Sequence, residues 1–457
     1  SMPAPSMVDN HVHFSVWARA RTRVSLSECN SITSVVQALQ EALSQRDASK
    51  AKDPLVGKGL FIGQWPEEDV PKMNKRILDE NLPSDVPIFV ILNDLHSSFC
   101  NSAGLKLLDY DAENHTGLFL EQDAFKAAVK LDAMDADRME DIIREACIDA
   151  AKKGVTEIVD LDMDHNIGNW QKRLKKGMTQ LRVHCGMYEQ HVNDAISAGL
   201  KSGDAIPEGE GLLTVGPYKI IPDGSLGTRT ACCHHAYPSP PAHYGMIVYS
   251  EEKLKSMFET AVSNDLQLAV HAIGDKTNTV VLELLAGLQK KPLAGSTIEH
   301  AQLLRLEDVK HFSDLGLAAS IQPQHMNDDR ELIERFWPGR TDRAYMFKTL
   351  HEAGVELRLG SDAPVAPLDP WVALAAAVWR ARPTDDTDTY SWHPEQKLSM
   401  EIAYQASTSG RRISIKEGDV ADLCVLPVDP LQATSKQIWE MKVKATLLAG
   451  KFTHREL

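Results

Sequence analysis

From about residue 140 onward the chain alternates short β-rich runs with amphipathic helical stretches, and this rhythm restricts the fold more than any other feature. The runs are VTEIVDL (155–161), LRVHCGM (181–187), VGPYKII (215–221), LQLAVHAIG (266–274), STIEHAQ (296–302), LGLAASIQPQ (315–324) and VELRLGSD (355–362). Helical stretches such as EEKLKSMFETAVSND (251–265) and NTVVLELLAGLQ (278–289) separate several of them. MEDIIREACIDAAKKG (139–154) precedes the first, with Gly154 placed as a helix stop. Strand, helix, strand at this spacing means parallel β/α units. Adding MVDNHVHF (7–14) gives eight strands, the number that closes a TIM barrel. The expected fold class is therefore α/β, a (β/α)8 TIM barrel over residues 7–408.

Two stretches break the rhythm. Residues from about 30 to 135 are too long for one crossover and include GLFIGQW (59–65) and VPIFVILNDLHSSFCNSAGLKLL (86–108). They are expected to form an insertion after the first strand, folded over the barrel mouth. Beyond residue 408 short runs such as ADLCVLP (421–427) and KATLLAG (444–450) suggest a small β module, 409–457. The total of 457 residues suits one large barrel with a smaller module.

Charge excludes some partners. The formal net charge is -15 and no Lys/Arg block occurs, so neither a nucleic acid nor an anionic membrane is an expected partner. A small-molecule substrate is. No apolar run has transmembrane length, and no signal-peptide core opens the chain. Seven scattered cysteines suggest reduced thiols in a cytoplasmic protein rather than a disulfide framework.

Ligand-type side chains gather at predictable places. His11 and His13 are two apart on a predicted strand, so they share a face with Asp9. Lys219, His271, His300 and Asp362 each fall at the C-terminal end of a later strand, where TIM-barrel active sites are built. Singly, each reads as an edge lysine or a satisfied core histidine. Together at one end of a barrel they form a constellation. ACCHHAY (231–237) also presents metal-binding residue types, but four adjacent ligands cannot wrap a tetrahedral ion.

Segments DNHVHF (9–14), KIIPDGSLGTRTA (219–231), VHAIGD (270–275), IEHAQ (298–302), SIQPQH (320–325) and GSDAPV (360–365) together resemble the metal-dependent amidohydrolase superfamily. More narrowly the chain resembles the branch of YtcJ-like proteins and N-substituted formamide deformylase, amidohydrolase family 3. The phrases GQW (63–65), LHSSFCNSAGL (95–105) and GDVADLCVLPVDP (418–430) extend the resemblance nearly end to end. It implies a binuclear centre of two divalent metal ions. His11, His13 and Asp362 would hold one ion, and His271 and His300 the other. Lys219 would carry a carbon dioxide-derived carbamate bridging both, because an ammonium cannot ligate a cation. Such ligands suit zinc, and also iron or manganese. The implied reaction is hydrolysis of an amide-like C–N bond by a metal-bridging hydroxide, with Asp362 moving the proton. Ester, lactone or carbamate hydrolysis on the same site is the near alternative, and a non-catalytic scaffold the distant one.

Substrate contacts are assigned more loosely. Gln322 and His325 follow the seventh strand and are expected to face the mouth. Arg229, after the Lys219 strand, could meet a carboxylate bidentately. His96 and Trp65 in the insertion are candidates for a lid wall. Two departures from the branch accompany the match. Cys232, Cys233, His234 and His235 stand where relatives carry small apolar residues, and packing is favoured over substrate contact for them. Only about ten residues precede His11, so half of the branch's usual β sandwich is expected to be missing, its apolar face covered differently or by a second subunit in a homodimer.

Overall fold

The computed structural model describes residues 1–46, 51–66 and 68–456. The chain divides into two compact units, Ser1–Trp17 with Ile143–Leu457, and Ala18–Ile142. Strands β1 (Met2–Pro5) and β2 (Met7–Val12) open the first unit. The second contains β3 (Val24–Ser25), β4 (Leu55–Leu60), β5 (Ile88–Leu92), β6 (Ser97–Cys100) and β7 (Leu118–Leu120). The first unit resumes with β8 (Val155–Asp160), β9 (Arg182–Met187), β10 (Leu213–Ile220) and β11 (Leu268–Ala272). It continues with β12 (Thr297–His300), β13 (Ala318–Ile321) and β14 (Leu357–Leu359). Last come β15 (Leu423–Leu426), β16 (Ala445–Leu448) and β17 (Lys451–Arg455).

Eight of these strands form one parallel sheet in the order β14-β13-β12-β11-β10-β9-β8-β2. The ends meet. Val12 bridges Ala363 in parallel, Asp362 N donates to His11 O at 2.7 Å, and His13 N donates to Ala363 O at 2.9 Å. The sheet is thus a (β/α)8 TIM barrel, and each of its strands lies within or beside a predicted run. Every residue of β11, β12 and β13 is buried, as expected of parallel strands covered on both faces.

Sequence explains the covering helices. Helix Glu251–Ser263 starts where the Ser250 side chain accepts from Lys253 N, and it buries Leu254, Met257, Phe258, Ala261 and Val262. That spacing is one face of a 3.6-residue period. Helix Met139–Lys152 ends at Gly154, whose φ of +83° lies in the left-handed region glycine tolerates best. No helix among the described residues is long and apolar enough to cross a membrane.

The small β module differs from expectation at its edge. Its four-stranded sheet has the order β1-β15-β16-β17, so the residues ahead of His11 supply a strand that the sequence reading did not place. β1 pairs antiparallel with β15, Met2 opposite Leu426 and Pro5 opposite Leu423. Its two prolines are tolerated because β1 is an edge strand.

The unit Ala18–Ile142 has its own mixed sheet, β3-β4-β5-β6-β7, and its own apolar core. Trp65 belongs to that core. It is 1% exposed, and its indole N–H donates to Cys29 O at 3.3 Å. His96 is held by Glu121 Oε2 at 2.7 Å and lies edge-on to Phe125. Trp65 is thus a core residue of its own unit, while His96 is half-buried beside Glu121 and Phe125.

Candidate active site

The barrel places ligand-type side chains at the carboxyl ends of its strands. His11 lies near the end of β2 with His13 just beyond, Lys219 near the end of β10, His271 near the end of β11, and Glu299 and His300 at the end of β12. Gln322 and His325 follow β13, and Asp362 follows β14. Asp362 Oδ1 lies 3.1 Å from His11 Nε2 and 3.0 Å from His13 Nε2, while Oδ2 lies 3.3 Å from His325 Nε2. Ring centroids run from His13 to His11 at 5.5 Å, to His300 at 5.2 Å, and on to His271 at 4.5 Å. Gln322 Nε2 approaches His11 Nδ1 at 3.4 Å.

Within this cluster His11, His300 and Asp362 are tightest. Among the described residues they are the one group of three ligand-type side chains whose donor atoms all lie within 4.8 Å. All three are buried, and neither His11 Nε2 nor His300 Nδ1 has a hydrogen-bond partner. Two buried imidazole lone pairs beside a carboxylate, with nothing to accept from, fit a cation better than a proton.

Charges reinforce this. Burial opposes ionisation of Asp362, yet the neighbouring His11, His13 and His325 rings hold its carboxyl well below the usual range. Burial likewise opposes the charge on Glu299, but His11 brings its pKa down to about 2. Burial and neighbouring His271 keep His300 far below the ordinary histidine value, so its ring is neutral and able to ligate. Lys219 is 2% exposed, and burial lowers its pKa although Glu299 and Asp362 pull the other way.

Two site residues sit on unusual backbone. His300 has φ +72° and Asp362 φ +55°, a region non-glycine residues seldom occupy. Such conformations persist where surrounding structure over-determines them, commonly at functional sites.

Asp223 ties the neighbouring loops together. Its Oδ2 accepts from Gly274 N at 2.9 Å, Cys232 N at 3.1 Å and Thr277 Oγ1 at 2.8 Å, and its Oδ1 from Ile273 N at 3.2 Å. Oδ1 also stands 3.3 Å from His271 Nε2, which is 3.0 Å from Gly224 O. ACCHHAY is part of this structure. Cys232 O accepts from Lys276 N and Thr277 N, Cys233 Sγ lies against Tyr237 Oη, and His234 Nε2 meets Thr279 Oγ1 at 3.0 Å. The segment packs against the start of helix Asp275–Ala286, as favoured from sequence. Arg229 stacks on Phe336 at 5.2 Å and donates to Ser239 Oγ at 3.0 Å, a structural arrangement with no contact to the cluster among the described residues.

Glu299 and Asp223 are buried carboxylates beside His11 and His271 that the sequence reading did not single out. Both stood inside quoted segments, IEHAQ and KIIPDGSLGTRTA, and a buried carboxylate beside a candidate ligand is the signal that marks them.

The sequence profile of the family described as "Amidohydrolase family" matches residues 2–454. YtcJ of Bacillus subtilis (strain 168), which bears an amidohydrolase name, is 27% identical over 99% of this chain and 89% of its own length. N-substituted formamide deformylase of Arthrobacter pascens is 24% identical over 98% of this chain and 87% of its own. Protein LONG AFTER FAR-RED 3 of Arabidopsis thaliana is 25% identical over 98% and 81%. Among solved structures, an uncharacterized metal-dependent hydrolase from Pyrococcus horikoshii OT3 superposes with a TM-score of 0.76 at 24% identity, covering 95% of this chain and 87% of that one.

Proposed function

The chain belongs to the amidohydrolase family, and from that premise we propose that it is a metal-dependent hydrolase cleaving an amide-like C–N bond of a small molecule. The observation that carries this reading is the meeting of Asp362 with unpartnered His11 Nε2 and His300 Nδ1 at the mouth end of the barrel. His11, His13 and Asp362 would hold one divalent ion and His271 with His300 a second, with Lys219 as a bridging carbamate. Burial lowers the Lys219 pKa, which shifts it toward the neutral amine that carbamate formation requires. Imidazole and carboxylate donors of this kind favour zinc.

Bound there, divalent ions supply Lewis-acid polarisation of a carbonyl and acidify a water for attack near neutral pH. The chain's own residues supply the proton path. Asp362 takes the proton as water adds to the carbonyl carbon, and returns it to the leaving nitrogen as the C–N bond breaks. His325, 3.3 Å from Asp362 Oδ2, orients that carboxylate. Gln322 fills the space between the seventh strand and His11. The resemblance to a formamide deformylase supports formamides as the first amides to try. The seven free cysteines support a reducing, cytoplasmic setting. The test is metal analysis of purified protein, followed by an amide, formamide and ester panel with and without chelator. Absence of metal, or chelator-insensitive turnover, refutes the reading.

A further inference from the structure

We propose that Glu299 is a positioning residue of the metal centre, holding His11 Nδ1–H so that the opposite nitrogen, Nε2, presents its lone pair to the cation. The inference rests on the functional reading above and deepens it.

Glu299 lies on β12 beside His300, is 2% exposed, and places Oε2 2.6 Å from His11 Nδ1. Its other oxygen accepts the Thr297 hydroxyl, which fixes the plane of the carboxylate. The other polar group near Nδ1 is the Gln322 amide nitrogen at 3.4 Å, itself a donor. A carboxylate can only accept, so Nδ1 carries the proton, and in the neutral ring a metal ligand requires, Nε2 is the acceptor. Nε2 faces Asp362 Oδ1 at 3.1 Å without a hydrogen bond between them. Two acceptors at that separation repel unless a cation stands near both. Flipping the ring would bring Nδ1–H to Asp362 and leave Glu299 facing a bare nitrogen, so Glu299 disfavours the flip. A ligand histidine whose second nitrogen donates to a carboxylate is also a more basic donor.

The same barrel contains a second, more exposed Glu–His pair for comparison. Glu157 on β8 lies with Oε1 2.6 Å from His184 Nε2, a Glu–His pair of the same length that makes no contact with the cluster among the described residues. Loss of a purely structural carboxylate at either position should lower stability without a specific loss of metal affinity.

The experiment uses the full chain as wild type, Glu299→Gln, Glu299→Leu and Glu157→Gln. Zinc affinity is read by chelator competition, the visible spectrum of the cobalt-loaded protein reports ligand geometry, and unfolding midpoints are taken without metal. Glu299→Gln, which keeps an acceptor but loses the charge, should bind zinc about 10-fold more weakly, and Glu299→Leu should approach a loss of about 100-fold. The cobalt bands should shift in both. Glu157→Gln should bind zinc as wild type does, even where its midpoint falls. Wild-type affinity and spectrum in a folded Glu299 variant, or an equal loss in Glu157→Gln, overturns the assignment. Glu299→Gln decides alone if the leucine variant does not fold. A wild-type protein that takes up neither zinc nor cobalt overturns the functional reading together with this one, whereas wild-type affinity in the Glu299 variants overturns only the role of Glu299.

Discussion

Replacing Gly274 by alanine probes how closely ACCHHAY must approach the His271 loop. The backbone at Gly274 has φ -73° and ψ 150°, which any residue adopts, so space alone decides the outcome. A Cβ there would lie 1.9 Å from Cys232 O, 2.4 Å from Cys232 C and 2.6 Å from Cys232 N, all backbone atoms with no freedom to rotate away. Ordinary contact begins at 3.4 Å, so the two loops must part by about 1.5 Å. That retreat breaks the bonds from Lys276 N and Thr277 N to Cys232 O, and from Cys232 N to Asp223. At about 0.5–1.5 kcal/mol for each hydrogen bond, the cost is about 2–4 kcal/mol. Overpacking a tight site typically costs about 1–3 kcal/mol, a figure of the same size. Asp223 would shift with the loop, and His271 Nε2 would lose Gly224 O as its partner. Gly274→Ala should therefore lower both the denaturant midpoint and zinc affinity. Gly287→Ala is the control, because its new Cβ meets only ordinary contacts at 3.5 Å or more. A Gly274→Ala protein as stable and as zinc-avid as Gly287→Ala would refute the close-approach argument.

Asp362→Asn keeps one coordinating oxygen but loses the base, so zinc should stay at least partly bound while kcat falls by about 10²–10⁴; near-wild-type turnover ends the general-base assignment. Lys219→Ala should abolish turnover and lower metal content, and added acetate should restore part of both; an unmodified Lys219 in an active, metal-loaded preparation contradicts the carbamate. Asp160 is fully buried, and burial with the neighbouring Asp162 charge raises its carboxyl to about 7. The unfolded chain then releases this proton before the folded one does, so stability falls as pH rises from about 4 to 7, by at most about 1.4 kcal/mol per pH unit. Asp162→Asn removes the neighbouring charge and should flatten the decline in an unfolding-midpoint series; an unchanged slope refutes the coupling.

The barrel was legible because its strands are short apolar runs set between helical stretches, five of them with a ligand-type residue at or near the carboxyl end, a pattern set by local sequence. His11, His13, Lys219, His271, His300 and Asp362 could be picked out for the same reason. Glu299 and Asp223 could not, since their roles depend on partners far along the chain: His11 is 288 positions from Glu299, and Thr277 is 54 from Asp223. β1 escaped notice because MPAP has no strand pattern of its own, and pairing with Leu423–Leu426 alone defines it. The place of Trp65 in the core of its own unit was not legible, because nothing in sequence separates an aromatic facing a ligand from one buried in a core.

The seam joining β2 to β14 also sets when the active site can exist. His11 O and Asp362 N bond across 351 residues of chain, and β1 waits for a partner that begins at Leu423. On a ribosome the two histidines of β2 emerge well before the carboxylate that meets them. Every nascent intermediate therefore carries exposed imidazoles without their acid partner. A stalled or truncated product ending before Asp362 lacks the carboxylate that meets His11 and His13, however much of its barrel has formed.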